Sequence, residues 1–423
     1  MRVVIVGAGI VGSTTALVLA ERGFDVTLLD AEASAGRGTS YANGSSITPV
    51  HAEPWNPPGT LSSLPSALFQ RRMPSRIKLG ALPGLFGWGR QFLHESHPDR
   101  YLRNARHCIR LGLYAKDCLV KLRQRHSLDY DQYIEGSMEL YRTRAALDHI
   151  IEFRQRLELP EIAFQTLDAD AIVAREPALE TVVDQFSAAL WLPAHESGDA
   201  RIFCVEAAKH AADLGASVRF GEQVEAIDCR AGALPKIRTR HRTIDAERII
   251  LCTGTGTRCL LSPLGLNVPI YPIQGYSLTV PIQPSAAMPE VPLLDAERRF
   301  VIARLGQERL RIAGLADFAG PRPKLDRHRL DFLRESAEAL LPGLAGTLRA
   351  DNVEPWTGLR PMTPDGPPLI GPTPIDGLWL NTGHGAMGWT HAAGSAELLA
   401  DLLAGETPAI DPCGLDAQRV FSN

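Results

Sequence analysis

The residues able to do chemistry lie at the two ends of the chain. Near the start, the apolar run Val3 to Val6 leads at once into Gly7, Gly9 and Gly12, and a second apolar run, Val26 to Leu29, closes on Asp30. Strand, glycine turn, helix, strand and acid in that order fit a dinucleotide. Gly7 permits the tight turn, Gly9 admits a pyrophosphate to the backbone, and Gly12 lets helix and strand pack closely. The helix start offers unpaired N–H groups and a positive dipole end to the phosphates. Asp30, eighteen residues after Gly12, is placed to accept hydrogen bonds from a ribose. Near the other end, Arg360 stands before Pro361 among turn-forming residues, where a guanidinium could bind a carboxylate through two parallel N–H···O bonds. Taken alone, a surface salt bridge is the better explanation of Arg360.

A second turn follows Arg360. Leu378-Trp-Leu-Asn-Thr runs into Gly383, His384, Gly385, Ala386, Met387, Gly388 and Trp389, and then into a helix of small residues. A pyridine nucleotide has little use for a second positive helix end. A flavin does, because reduction puts negative charge on N1 and the C2 carbonyl, and a helix terminus stabilises such charge by roughly 0.3–2 kcal/mol. Two such loops favour FAD over NAD. His384 could tune that charge, assist a deprotonation, or be an ordinary hydrogen-bonded turn histidine. His51 is a weaker candidate for substrate contact.

The elements that must position these groups read as a doubly wound α/β unit with an insertion. Asp199 is placed to cap a helix from Ala200 to Leu214, and strands are expected at Ser217 to Gly221 and Val224 to Cys229. Arg248-Ile-Ile-Leu-Cys runs into Thr253 and Gly254, as a second pass of the sheet beside a cofactor would. Helical spacing covers 98–125, 144–157, 327–341 and 391–403. Alternation at Tyr276 to Val280, Phe300 to Arg304 and Leu310 to Ala313 predicts antiparallel strands. Between Ser34 and Ser46 lies a Gly/Ser-rich loop suited to backbone contact with a ligand. The stretch 54–98, rich in Pro and Gly, resists assignment. Its segment Leu79 to Leu93 could be a lid, a bilayer contact or simple packing.

At 423 residues, 45% hydrophobic and 22% charged, the chain has room for two or three domains around a large core. A net charge of -4 argues against a nucleic-acid binder. Arg100, Arg103, Arg106 and Arg110 recur at helical spacing, as on one exposed face. The seven cysteines form no CxxC pair or zinc pattern, so free thiols, a reducing cytoplasm and no metal are expected. With the first strand expected from residue 2, no signal peptide is expected ahead of it, and no apolar run is long enough to span a membrane.

Together these residues resemble the FAD-dependent amine and D-amino-acid oxidoreductases (the D-amino-acid oxidase and glycine oxidase superfamily). Within it the chain is most similar to the small-subunit family of bacterial D-amino-acid dehydrogenases. The resemblance is carried by Val4-Ile-Val-Gly-Ala-Gly-Ile-Val-Gly-Ser13, Thr39-Ser-Tyr-Ala-Asn-Gly44 and Tyr271-Pro-Ile-Gln-Gly-Tyr-Ser277. It continues through Trp356-Thr-Gly-Leu-Arg-Pro-Met-Thr-Pro-Asp-Gly366 and Asn381-Thr-Gly-His-Gly-Ala-Met-Gly-Trp-Thr390. It implies a glutathione-reductase-like two-domain flavoprotein, with a Rossmann-type FAD domain (1–50, 191–269 and 350–423) and an inserted α+β substrate domain on an antiparallel sheet (51–190 and 270–349). It places Gly7, Gly9, Ile10, Val11, Gly12, Asp30, Thr39, Ser40, Ala42, Asn43, Gly44, Val224, Thr253, Gly254, Gly358 and Gly383 to Trp389 around the FAD. Arg360 would bind the substrate carboxylate, assisted by Tyr276.

The implied reaction is hydride transfer from a D-amino acid Cα to flavin N5, giving an imine that water converts to a 2-oxo acid and ammonia. The alternatives are a secondary amine acid as substrate (D-proline, hydroxyproline, sarcosine, glycine), a flavin-binding subunit without turnover, and an NAD-dependent dehydrogenase. The implied acceptor is a quinone or respiratory partner, with the protein cytoplasmic or peripheral on the inner membrane. Two departures stand out. Gly44-Ser-Ser-Ile-Thr-Pro-Val-His51 differs from the family's usual continuation, so substrate preference could differ. No cysteine lies near Gly358 to Pro361, so the flavin should be noncovalent.

Overall fold

The computed structural model describes residues 1–62, 73–230, 232–283 and 288–421; part of the unassigned 54–98 stretch, residues 63–72, falls outside these. The run Val3 to Val6 forms the strand Arg2–Val6 near the middle of a six-stranded sheet. The order across it is Leu369–Pro372, Leu378–Thr382, Arg248–Leu251, Arg2–Val6, Asp25–Leu29 and Ser217–Arg219. All neighbours are parallel except the first pair. A parallel sheet covered on both faces requires strands apolar throughout, and Val3, Val4, Ile5 and Val6 are all buried.

The helix Ile10–Glu21 has no polar face, because it is wrapped on every side by the sheet and the helices Ala200–Asp213 and Gly388–Ala404. Ser13, Thr14 and Thr15 tolerate that burial by donating their hydroxyls to the carbonyls of Ala8, Ile10 and Val11. Asp199 caps Ala200–Asp213 through the N–H groups of Arg201 and Ile202, as expected.

A second, larger sheet lies over the cavity side of the first unit. Its strands run Glu354–Met362, Tyr271–Pro281, Arg309–Phe318, Phe300–Leu305, Leu293–Asp295, Ser137–Tyr141, Ala188–Leu192 and Gln165–Leu167, with Ser75–Ile77 added alongside Arg309–Phe318. Most pairs are antiparallel. The helix Arg327–Leu340 covers one face through Leu330, Leu333 and Ala337.

Two elements cut across the expected domain boundaries. Glu354–Met362 pairs along Tyr271–Pro281 in the large sheet, although residues 350–423 are expected in the cofactor unit. The helix Pro98–His126 lies in the expected substrate domain, yet it packs on Gly388–Ala404 and gives Leu111, Leu119 and Leu122 to the first unit's core. Periodicity alone does not reveal which body an amphipathic element covers. On that helix, Arg100, Arg106 and Arg110 are half-buried and pair with Glu95, Glu158 and Asp411, and Arg103 is exposed.

Candidate active site

The two glycine turns, the Gly/Ser loop and the large sheet close around one cavity of ≈ 560 Å³. Twenty of the expected cofactor residues border it. Gly7, Gly9, Ile10, Val11 and Asp30 come from the first turn, and Thr39, Ser40, Ala42, Asn43 and Gly44 from the loop. Val224, Thr253, Gly254 and Gly358 follow, with Gly383, His384, Gly385, Ala386, Gly388 and Trp389 from the second turn. Gly12 and Met387 do not border it. Gly12 packs under the turn, where a β-carbon would collide with the Gly7 carbonyl. Met387 faces Thr48 and the cluster of Ala105, Cys108 and Ile109.

The lining suits a flavin dinucleotide. Gly7 has φ +101, and a β-carbon there would lie 2.8 Å from the Cys252 carbonyl oxygen. Neither Ile10–Glu21 nor Gly388–Ala404 carries a capping side chain at its start, so the first N–H groups of both remain for a ligand. The Ile10 N–H is donated to Ser40 Oγ at 3.0 Å, and the Met387 N–H just before the second helix to His384 O at 2.9 Å. Trp389, which borders the cavity, has a buried indole N–H without a partner among the described residues. Asp30 accepts the Ala8 N–H at 2.5 Å and the Glu32 N–H at 2.8 Å. Burial holds its carboxyl above the usual range despite those bonds. Glu32, two residues on, shares the rim and was missed by the motif, as were Glu222, Thr255, Gly275, Ala313 and Trp356.

Arg360 also borders the cavity. Its side chain lies along the neighbouring strand, where Nη1 donates to Leu315 O at 2.8 Å and Nη2 to Gly314 O at 3.4 Å. The guanidinium carbon is 5.1 Å from the Trp55 ring centroid. No carboxylate among the described residues is within ion-pair distance. Burial pulls its pKa down to about 10, with Asp317 opposing from farther off. The result is a charged, oriented and uncompensated guanidinium beside the cofactor turns, a natural anchor for an anion.

Tyr276 borders the cavity, but it belongs to the buried cluster that includes Leu278, Phe300 and Leu333, and its hydroxyl donates to Asp317 Oδ2 at 3.0 Å. Burial, then Asp317, keeps the phenol protonated. It shares Asp317 with the electrostatic surroundings of Arg360. His384 is buried with Nε2 3.1 Å from Ser395 Oγ. The Ser395 hydroxyl donates to His391 O at 2.7 Å, so Nε2 is the donor to it. Burial, reinforced by His391, holds His384 neutral, far below its ordinary range. His51 does not border the cavity; its Nδ1 lies 2.9 Å from Glu139 Oε1.

The comparisons agree with this geometry. The family described as FAD dependent oxidoreductase (DAO) matches residues 2–402. A D-amino acid dehydrogenase of Xanthobacter autotrophicus is 38% identical over 420 residues, covering 99% of both chains. A Methylobacterium protein of the same name is 38% identical over 411 residues, 97% of each. Among solved structures, glycine oxidase from Geobacillus kaustophilus superposes with a TM-score of 0.74 at 21% identity, covering 99% of this chain and 98% of its own. L-proline dehydrogenase from P. horikoshii gives a TM-score of 0.75 at 16% identity, covering 99% and 97%. Matched by the family over residues 2–402 and by a named relative along 99% of its length, the chain belongs to the DAO family of FAD dependent oxidoreductases.

Proposed function

We propose that this protein oxidises a D-amino acid to an imine, which water hydrolyses to the 2-oxo acid and ammonia. The observation that carries the reading is Arg360, a half-buried guanidinium with two backbone carbonyl partners and no ion pair among the described residues, opening on the cofactor cavity. The curated relatives named D-amino acid dehydrogenase, similar over nearly the whole chain, supply the substrate class.

FAD, when bound, supplies the two-electron oxidant for the Cα hydride. The first glycine turn and Ser40 would hold its diphosphate, and the start of the helix Gly388–Ala404 would meet the charge that reduction creates. Arg360 grips the substrate carboxylate and so fixes the direction of Cα–H; such orientation removes several kcal/mol from a barrier. It also acts on the amine. By pairing with the carboxylate it removes the negative charge that stabilises the substrate's own ammonium, so the ammonium gives its proton to water more readily in this cavity. His384, neutral and donating to Ser395, is not needed as the base.

For the electron acceptor we favour a quinone or another respiratory component at a membrane surface. From Pro54 to His94 the sequence has no Asp or Glu and five Lys or Arg. Within that stretch the helix Leu82–His94 and the turn before it expose Leu79, Leu82 and Phe86. Lys78 is half-buried and Arg90 exposed beside them. Apolar side chains in a field of positive charge suit an anionic bilayer.

The test is anaerobic mixing of the FAD-loaded protein with D-, L- and N-substituted amino acids while its visible flavin band is followed. Bleaching by D-amino acids is expected. Bleaching by N-substituted acids alone would move the assignment to secondary amines, and no bleaching by any amine would overturn it.

A further inference from the structure

Arg360 is held by a distortion in the strand beside it. Tyr271–Pro281 and Arg309–Phe318 pair in regular antiparallel register from Pro281↔Arg309 to Tyr276↔Gly314, and the next pair is Gln274↔Asp317. Leu315 and Ala316 therefore both stand opposite Gly275, which is a β-bulge. Bulges bend a strand locally and re-aim the groups they carry. Leu315 has φ 63, a left-handed conformation that a bulky residue adopts only when its surroundings impose it.

Those surroundings are on both sides of the bulge. The Leu315 side chain is buried in the cluster containing Leu278, Phe300 and Leu333. The Ala316 N–H donates to Pro74 O at 2.9 Å. Asp317, wholly buried, accepts the Tyr276 hydroxyl at 3.0 Å and pairs with Arg329 at 2.9 Å and with Arg76.

We infer that this bulge, clamped by the Asp317 cluster, is the positioning device for the Arg360 guanidinium; the inference rests on the reading of Arg360 as the carboxylate anchor. Two consequences follow from the geometry. The Leu315 carbonyl meets Nη1 and fixes the rotation of the fork, but a carbonyl aligns a cation without neutralising it. Asp317, the nearby carboxylate that would neutralise it, is instead occupied by Tyr276, Arg76 and Arg329. The arginine is left both aimed and unpaired. Tyr276 then contributes to substrate binding through Asp317 rather than by touching substrate, and Leu315 is a positioning residue that no glycine or charge pattern marks.

The experiment compares Leu315→Ile with Leu315→Met in the FAD-loaded enzyme. Isoleucine keeps the volume but is β-branched and disfavours positive φ; methionine keeps the volume and is unbranched. Binding of benzoate, a carboxylate that cannot be oxidised, is measured by calorimetry. Turnover of a D-amino acid is compared with that of its amide. Leu315→Ile should weaken benzoate binding and raise KM for the acid by about tenfold or more, with the amide and the flavin content little changed. Leu315→Met should restore affinity to within about threefold of the parent. The inference fails if Leu315→Ile binds benzoate like the parent, if Leu315→Met loses as much as Leu315→Ile, or if acid and amide fall together. Should Leu315→Ile not fold, Tyr276→Phe decides: a severalfold loss of benzoate affinity supports the device, and unchanged affinity overturns it. A parent enzyme that binds no benzoate overturns the carboxylate anchor itself, a distinguishable result.

Discussion

The guanidinium of Arg360 lies flat across the backbone of Gly275: a β-carbon there would come 2.5 Å from Cζ, Nη1 and Nη2 alike. Equal approach to three atoms of one plane means that the fork rests face-on where residue 275 has no side chain. Gly275→Ala is therefore expected to displace the fork while sparing the cofactor turns. Displacement of a substrate-positioning group by about 1 Å costs on the order of 10²-fold, so kcat/KM for the amino acid should fall roughly 10- to 100-fold with flavin retained. Parent-like kinetics in Gly275→Ala would remove the significance of this contact.

Arg360→Lys tests whether the fork or merely the charge is required. Lysine keeps the cation but cannot donate to the two carbonyls and to a carboxylate in one plane. Hydrogen bonds to charged groups contribute about 1.5–3 kcal/mol, so KM should rise roughly 10- to 100-fold, with a smaller change in kcat. Steady-state kinetics on a series of D-amino acids measures this. A lysine enzyme with unaltered KM would show that a point charge suffices.

Gly7→Ala addresses the cofactor directly. At φ +101 an alanine is strained, and its β-carbon would press on the Cys252 carbonyl at 2.8 Å. Strain of about 1–3 kcal/mol should shift the turn and weaken FAD binding about tenfold or more. Flavin fluorescence released on dilution reports the change. Undiminished retention would show that this turn does not bear on the cofactor.

Much of this site was legible because its local rules are strict. An apolar run broken by Gly7, Gly9 and Gly12 has few alternatives to a buried strand and a tight turn, and Asp199 is a cap wherever a helix follows it. The Arg309–Phe318 strand is longer than the Leu310 to Ala313 expected, because its bulge interrupts the alternation. The Tyr271–Pro281 strand begins five residues before the Tyr276 expected: Pro272 and Gly275 are residues that ordinarily weaken a strand, but Pro272 sits near an end of the pairing and Gly275 makes room for Arg360. The face of Tyr276 was not legible either. Gln274, Tyr276 and Leu278 alternate with Ile273, Gly275 and Ser277, and only register with neighbouring strands decides which set joins the cluster around Phe300. Leu315 could not be found at all, since nothing in an isolated leucine signals a left-handed backbone.

His51 gives a pH signature in stability. Burial opposes its charging, but Glu53 and Glu139 outweigh burial, with Arg154 acting against them, and the pKa rises from 6.5 to about 9. A folded-state value above the unfolded one means that the stabilisation is complete below about pH 6.5 and disappears as pH climbs through 9. The difference in Tm between the parent and His51→Gln should therefore be largest near pH 6 and close towards pH 10. A gap that does not vary with pH would mean that His51 acts through packing alone.

The exposed face of the helix Leu82–His94 can be tested apart from catalysis. Leu85, Trp88 and Phe92 are buried against Tyr271 and Phe318, which fixes the helix and leaves Phe86 77% and Leu82 41% exposed, next to Leu79 at 67%. A helix needing only its inner face for packing gains nothing from phenylalanine on the outer one. With Lys78 and Arg90 alongside, and Arg322 and Lys324 in the loop after Arg309–Phe318, that face should bind vesicles containing anionic phospholipid and release them as salt rises. Burying one such side chain contributes about 1.5–3 kcal/mol, so the double variant Leu82→Ser, Phe86→Ser should weaken cosedimentation by about tenfold or more. Its anaerobic reduction by D-amino acids should be unchanged, because neither residue borders the cavity. Equal sedimentation of parent and variant would dismiss the membrane contact without touching the assigned chemistry.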